Sequence, residues 1–245
     1  MTESMHGLDI SSGVGALAFA LMPWVRPLAY CEGDVRNQAV LLSAMARGDL
    51  HEAPIASSTR EIDGAFFRDA VDIITATVPR CCTRVARKRG DVLEDVVRLA
   101  NETGAPFVFA SSNSRARARD AGELGRALAE YGYDSRWLTL ASEEISVPGN
   151  ERRWFLAAHR PIGGKEWFSV EKLKAPAESE RLAPVVSKQV VRARALREGV
   201  VAQLAREAFQ RMFGISERAS DPLARLKEEN RLAPWSIWEA DSSIL

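Results

Sequence analysis

The sequence is short of the residues that most often announce a function. Histidine and cysteine occur only three times each in 245 residues. The cysteines are Cys31, Cys81 and Cys82. No CxxC pair and no histidine at ligand spacing accompanies them, so neither a metal site nor a disulfide framework is expected. Net charge is missing as well, because 33 Lys and Arg balance 33 Asp and Glu. The chain exerts no general pull on nucleic acid, and any DNA contact must come from local clusters. Long apolar runs are also lacking. The longest, residues 16–25, is too short to span a bilayer and contains Pro23. The N-terminus does not pair a basic segment with a clean apolar run, as a signal peptide would. The expected setting is a reducing cytoplasm, the host's if the source is viral, with no membrane partner.

What is present is a core. Hydrophobic residues make up 46% of the chain, enough to argue against global disorder. The length suits one large domain, or one with a small appendage. Strands are expected at 7–11, 28–32, 53–56, 71–75, 106–110, 133–140 and 153–158. Helices are expected at 16–22, 35–47, 91–101, 121–131 and 199–213. Between the first strand and first helix lies a small-residue turn, Ser12-Gly13-Val14-Gly15. Strands alternating with helices predict an α/β, Rossmann-like, mostly parallel sheet with helices on both faces. Residues 1–159 read as this core. Residues 160–190 are polar and rich in Gly, Pro and Lys, with Trp167 and Phe168 as their large apolar pair. They read as a linker or a very small lobe. Residues 191–214 read as a closing helix returning to the core. Residues 215–245 form a charged tail carrying Trp235 and Trp238.

Several segments, in order, resemble DNA cytosine-C5 methyltransferases. Asp9-Ile10-Ser11-Ser12-Gly13-Val14-Gly15-Ala16 is similar to the family's Asp-Leu-Phe-Ser-Gly-x-Gly-Gly. Tyr30-Cys31-Glu32 resembles the end of its second strand, where an acid takes ribose hydroxyls. The run from Val71 through Pro79-Arg80-Cys81-Cys82 resembles the strand and catalytic loop carrying Pro-Cys-Gln. The segment from Val147 to Phe155 resembles Val-Pro-Gln-x-Arg-x-Arg. Arg192-Ala193-Arg194-Ala195-Leu196 and residues 203–209 resemble the last motif and closing helix. The resemblance covers roughly residues 6–160 and 188–214. It implies a class I methyltransferase-like fold, with Asp9, Ser12, Gly13, Gly15 and Glu32 toward S-adenosylmethionine and double-stranded DNA as partner.

The departures fall on the chemistry. The nucleophile position holds Arg80, and a protonated guanidinium carries no free lone pair with which to attack a pyrimidine. The family's Glu-Asn-Val on the fifth strand aligns with Ser111-Ser112-Asn113, which removes the general acid. In the arginine segment the first arginine aligns with Glu151, and only Arg153 remains. Ser11 and Ser58 stand where the family has its Phe and its adenine-reading Asp, which weakens the case for S-adenosylmethionine. Arg197-Glu198 replaces Gly-Asn. The target-recognition lobe shrinks to 160–190.

Three readings follow. Arg80 lies beside Arg84, Arg87, Lys88 and Arg89, a cluster suited to an anionic leaving group. Ser111 and Ser112 can donate to a base edge. The first reading is a viral DNA-modifying transferase. It would extrude a pyrimidine already bearing an activated 5-substituent and join a small amine or amino acid to it. Arg80, Ser111, Arg153 and Glu151 would form its catalytic set, with Arg84, Arg87, Lys88, Arg89, Arg192 and Arg194 on the nucleic acid. The second is a silent pseudo-methyltransferase that binds DNA or docks on a partner subunit or second copy. The third is a divergent methyltransferase using Cys81.

Overall fold

The computed structural model describes residues 4–78, 89–112, 118–147, 150–160 and 189–215. Its strands are β1 (Met5–Ile10), β2 (Val25–Cys31), β3 (Ile55–Ala56), β4 (Ile73–Val78), β5 (Phe107–Ser112), β6 (Asp134–Ala141) and β7 (Arg152–His159). Its helices are α1 (Ala16–Leu21), α2 (Val35–Ala46), α3 (Arg89–Thr103), α4 (Ala118–Ala129) and α5 (Gln189–Phe213). The strands form one sheet in the order β3-β2-β1-β4-β5-β7-β6. The pairings among β1 to β5 are parallel. β7 runs against both of its neighbours, β5 and β6. The expected mostly parallel, Rossmann-like sheet is what forms.

Alternation along each strand sends successive side chains to opposite faces. Leu8 and Ile10 of β1, Ile74, Ala76 and Val78 of β4, and Val108 and Ala110 of β5 pack with Val96 and Leu99 of α3 and Leu124 and Leu128 of α4. The other face carries Ile73, Phe109, Phe155 and Ala157, against Leu17 and Leu21 of α1 and Phe209 and Phe213 of α5. Helices therefore cover both faces. The Phe209 and Phe213 rings stack at 4.1 Å, and Phe209 meets Phe109 edge-on at 5.1 Å. Each such buried ring contributes roughly 2–3 kcal/mol of transfer free energy.

Most element boundaries shift by one to three residues from the sequence reading, and the start of α5 shifts by more. β4 occupies 73–78 rather than 71–75, although the Asp72 amide already donates to the His6 carbonyl at 2.8 Å and its carbonyl accepts the Phe107 amide at 3.1 Å. The β-branched run after it then carries the strand on to Val78. α5 begins ten residues before 199, at Gln189. Arg, Ala, Leu and Glu favour helix there strongly enough to absorb Gly199, which costs about 1 kcal/mol inside a helix. None of the described helices is long and apolar enough to cross a membrane.

Candidate functional site at the carboxyl ends of the strands

In this strand order the chain winds outward from β1 in one direction and from β4 in the other. A crevice opens where the order reverses, beyond the carboxyl ends of the strands. The turn leaving β1 shapes one wall. Ser11, Gly13 and Gly15 all have positive φ, at 54°, 59° and 88°. Ser11 holds this left-handed conformation with a side chain, where glycine would do so without strain.

The two glycines of the turn serve different ends. A Cβ on Gly15 would lie 2.7 Å from Leu50 Cδ1 and 2.9 Å from Leu41 Cδ2, so its bareness lets α1 pack close to α2. A Cβ on Gly13 would meet nothing within 4 Å. Gly13 faces open space, and its backbone can be approached closely from outside. Ser12 points the other way. It is buried, its hydroxyl donates to the Asp9 carbonyl at 2.9 Å, and its amide donates to the Cys31 carbonyl at 3.0 Å. In the structure Ser12 braces the turn from within, whereas the sequence put it toward the ligand.

Glu32 follows β2 and joins two loops. One carboxylate oxygen accepts the Gly13 amide at 2.7 Å, and the other accepts the Asp34 amide at 2.8 Å. Asp9, at the end of β1, is buried beneath. Its Oδ1 accepts the Thr75 hydroxyl at 2.6 Å, while Oδ2 has no hydrogen-bond partner. Burial pushes the Asp9 carboxyl up to about 6, against the lowering effect of the Thr75 and Ser12 hydroxyls, and the charge of Glu32 adds to the rise. Beside it Tyr30 donates its phenol to the His51 carbonyl at 3.0 Å, and burial with the Asp9 charge raises its pKa.

Ser58, at the family's adenine-reading position, is a turn cap: its Oγ accepts the Arg60 amide at 3.2 Å. Sequence comparison alone missed a carboxylate close by. Glu61 accepts both the amide of Ser57 at 3.0 Å and its hydroxyl at 2.7 Å. The Ser57 hydroxyl holds that carboxyl below the usual range. The spacing Ser57-x-x-x-Glu61 was the available signal.

Beyond β4 the sheet continues with β5 and β7. Ser111 is fully buried, its hydroxyl has no hydrogen-bond partner, and it stands in register with Thr77 and Phe155. The buried Arg153 donates from Nη1 to the Ser112 carbonyl at 2.7 Å. The Ser112 hydroxyl receives the Trp154 amide at 3.4 Å. Residues two apart on a strand share a face. Asp9, Thr75, Thr77, Ser111 and Arg153 therefore lie on one face across four neighbouring strands. Glu151 is half-buried just before β7, and its carbonyl accepts the Ser142 amide at 2.8 Å. Arg80, Cys81, Cys82, Arg84, Arg87, Lys88 and Asn113 lie outside the described residues, as do Trp235 and Trp238. Arg89 opens α3, and Arg192 and Arg194 lie in the first part of α5, with side chains outside the description. No group of acids, histidines and cysteines among the described residues is fit to hold a metal ion.

A sheet with one reversed strand, a glycine turn leaving β1 and an acid closing β2 define a class I methyltransferase-like protein. No family model matches the chain. It is 22% identical over 165 residues to the type II methyltransferase M.CviJI of Paramecium bursaria Chlorella virus IL3A, covering 64% of this chain and 44% of that one. Among solved structures, the S. pombe Dnmt2 methyltransferase superposes with a TM-score of 0.52 at 15% identity, covering 73% of this chain and 61% of that one. A DNA modification methyltransferase encoded within an E. coli prophage gives 0.51 at 18% identity, covering 64% and 47%. The chain spans about half the length of these relatives. In fold it is like the class I methyltransferases, and the order of its motifs is similar to that of the DNA cytosine-C5 methyltransferases.

Proposed function

We propose that the chain is a DNA-base-modifying protein that holds S-adenosylmethionine, or a closely related adenosyl ligand, at the carboxyl ends of β1 and β2. The observation that carries this reading is the preformed wall there, where Glu32 fixes the Gly13 turn with the backbone open to the crevice. The orphaned Oδ2 of Asp9 and the carboxylate of Glu61 fit the same ligand, an adenosyl group with a cationic amino-acid tail. When bound, such a ligand supplies a transferable group activated on a sulfonium. The chain's own part is to seat the nucleoside against Gly13 and Glu32, and to present a pyrimidine extruded from DNA to the ends of β4 and β5. Under methyl transfer, Cys81 supplies the nucleophile.

A second reading is favoured by Ser111. The family's carboxylate is absent from the end of β5, and a buried hydroxyl stands in its place. In this reading a small amine or amino acid is joined to a pyrimidine that already carries an activated 5-substituent. Arg80 and the basic residues after it then attract the leaving group. Loss of the acid also accords with a silent DNA-binding or regulatory subunit.

One experiment separates them. DNA containing either unmodified cytosine or 5-substituted pyrimidines is incubated with the protein and with S-adenosylmethionine or amine donors, and its nucleosides are analysed by mass spectrometry. A mass gain of one methyl group supports the adenosyl reading, and donor-dependent gain on 5-substituted DNA supports the second. No product, with S-adenosylmethionine binding retained, leaves a silent module. Arg80→Ala abolishes amine transfer and leaves a scaffold unaffected.

A further inference from the structure

α2 carries apolar side chains on two faces. Leu41, Ala44 and Met45 are buried with Tyr30 and Leu50. Val35, Ala39, Leu42 and Ala46 lie on the outside, and all four are exposed, Val35 by 74% and Leu42 by 58%. Their spacing of four, three and four residues aligns them in one row along the helix, the pattern of a seam for a second helix. Apolar side chains exposed singly are ordinary on a protein surface, whereas a continuous row marks a contact. Among the described residues nothing covers this row.

The chain's own sequence beyond Ile215 supplies a match. Asp221-Pro222 joins a capping residue to the proline favoured at a first helical position, and Pro234 follows as a stop. Between them Leu223, Leu226, Asn230 and Ala233 recur at spacings of three, four and three. As a helix, 222–233 would be as long as α2, about 18 Å. Its start is within reach of α2. Phe209, near the end of α5, lies 5.4 Å from the Trp24 ring, and His51, just after α2, lies 3.4 Å from the Met22 carbonyl. The ends of α5 and α2 therefore flank one short turn, and residues 216–221 can extend about 20 Å.

We infer that residues 222–233 seat as a helix on the outer face of α2, antiparallel to it, with Leu226 against Leu42 and Ala233 beside Val35. Short connections make antiparallel neighbours. A lone polar residue in such a seam fixes its register, which gives Asn230 a role. Trp235 then arrives at Val35, the most exposed side chain of the row. The inference is independent of the ligand and the reaction proposed above.

Hydrogen–deuterium exchange of the full chain tests it. Amides of 222–233 should exchange at least about tenfold more slowly than in an unstructured peptide of that sequence. Leu42→Asp should remove this protection and leave that of β1, β4 and β5 unchanged. Cross-linking then reads the register, in a chain carrying Cys81→Ser and Cys82→Ser. Leu42→Cys with Leu226→Cys should form a disulfide within one chain on mild oxidation, because facing seam positions bring the two Cβ atoms within bonding range. Leu42→Cys with Leu232→Cys should not, since Leu232 projects away from the row of Leu223 and Leu226. Oxidation of a mixture of isotope-labelled and unlabelled chains shows whose segment is bound. Exchange at the rate of the unstructured peptide, or protection that survives Leu42→Asp, overturns the inference. So does equal cross-linking of the two cysteine pairs, or a disulfide that joins labelled to unlabelled chains, which would assign the face to a second copy.

Discussion

The carboxylate of Glu32 and the amide of Gly13 meet at 2.7 Å across nineteen residues of chain. This bond joins the end of β2 to the turn leaving β1, the two segments on which the resemblance to the methyltransferases first rests. Glu32→Ala removes the acceptor for both Gly13 and Asp34. Hydrogen bonds to a charged group are each worth about 1.5–3 kcal/mol, so a loss of that order is expected in urea denaturation. Glu32→Gln, which retains one acceptor oxygen, should recover roughly half.

The turn glycines should respond unequally. Gly15→Ala places a methyl within 2.9 Å of two leucine side chains on a backbone at φ 88°. A loss of about 2–4 kcal/mol is expected from overpacking and strain together. Gly13→Ala meets no neighbour and carries only the left-handed backbone cost, about 1 kcal/mol. Thermal melts of the two variants give the comparison. Gly13→Ala should nevertheless lose more affinity for the proposed ligand than stability, since its methyl projects into open space at the turn.

Asp9 sets a pH dependence on the ligand-free protein. Its folded pKa of about 6 lies above the ordinary 3.8. The stability associated with its protonated form is full below 3.8 and is lost as pH rises through 6. The difference corresponds to about 3 kcal/mol at neutral pH. Asp9→Asn should therefore be more stable than the parent near pH 8 and gain nothing near pH 3.5. Urea midpoints at the two pH values decide the matter, and equal differences at both would refute it.

Ser111 and Arg153 make a further contrast. Ser111→Ala removes a hydroxyl that satisfies nothing, so stability should change by less than about 0.5 kcal/mol or increase. Any loss of the proposed DNA modification in that variant would then report on chemistry and not on folding. Arg153→Ala strips the Ser112 carbonyl of its donor and opens a buried space, and a loss of about 3 kcal/mol is expected.

The fold was largely legible because its signals are local. Short, largely apolar runs in β1, β4 and β5, and helical spacing in α2, mark these elements within a few residues. Boundaries were less so, as at β4 and α5, because pairing and packing with distant segments decide them. Ser12 illustrates a different limit. Spacing places it in the ligand turn, but only three dimensions show its hydroxyl directed at the Asp9 carbonyl. Glu61 was hidden because motif comparison looks for an acid at a fixed position. Here the carboxylate arrives from another position and is held by Ser57. Ser111 was legible as a replacement, while its complete burial was not.

Because β7 runs against its neighbours, its first residues share a rim with the last residues of β5. Arg153 reaches Ser112 for that reason. The chain then leaves β7 at the opposite rim, where the Arg160 amide closes on the Pro106 carbonyl at 2.9 Å. The strand thus works as a conduit through the sheet, entering beside the candidate site and exiting away from it. Whatever is joined after Arg160, with its bond to Pro106 kept, starts from the rim opposite the candidate site. That junction is accordingly the place to attach a reporter or a new recognition domain without disturbing the crevice.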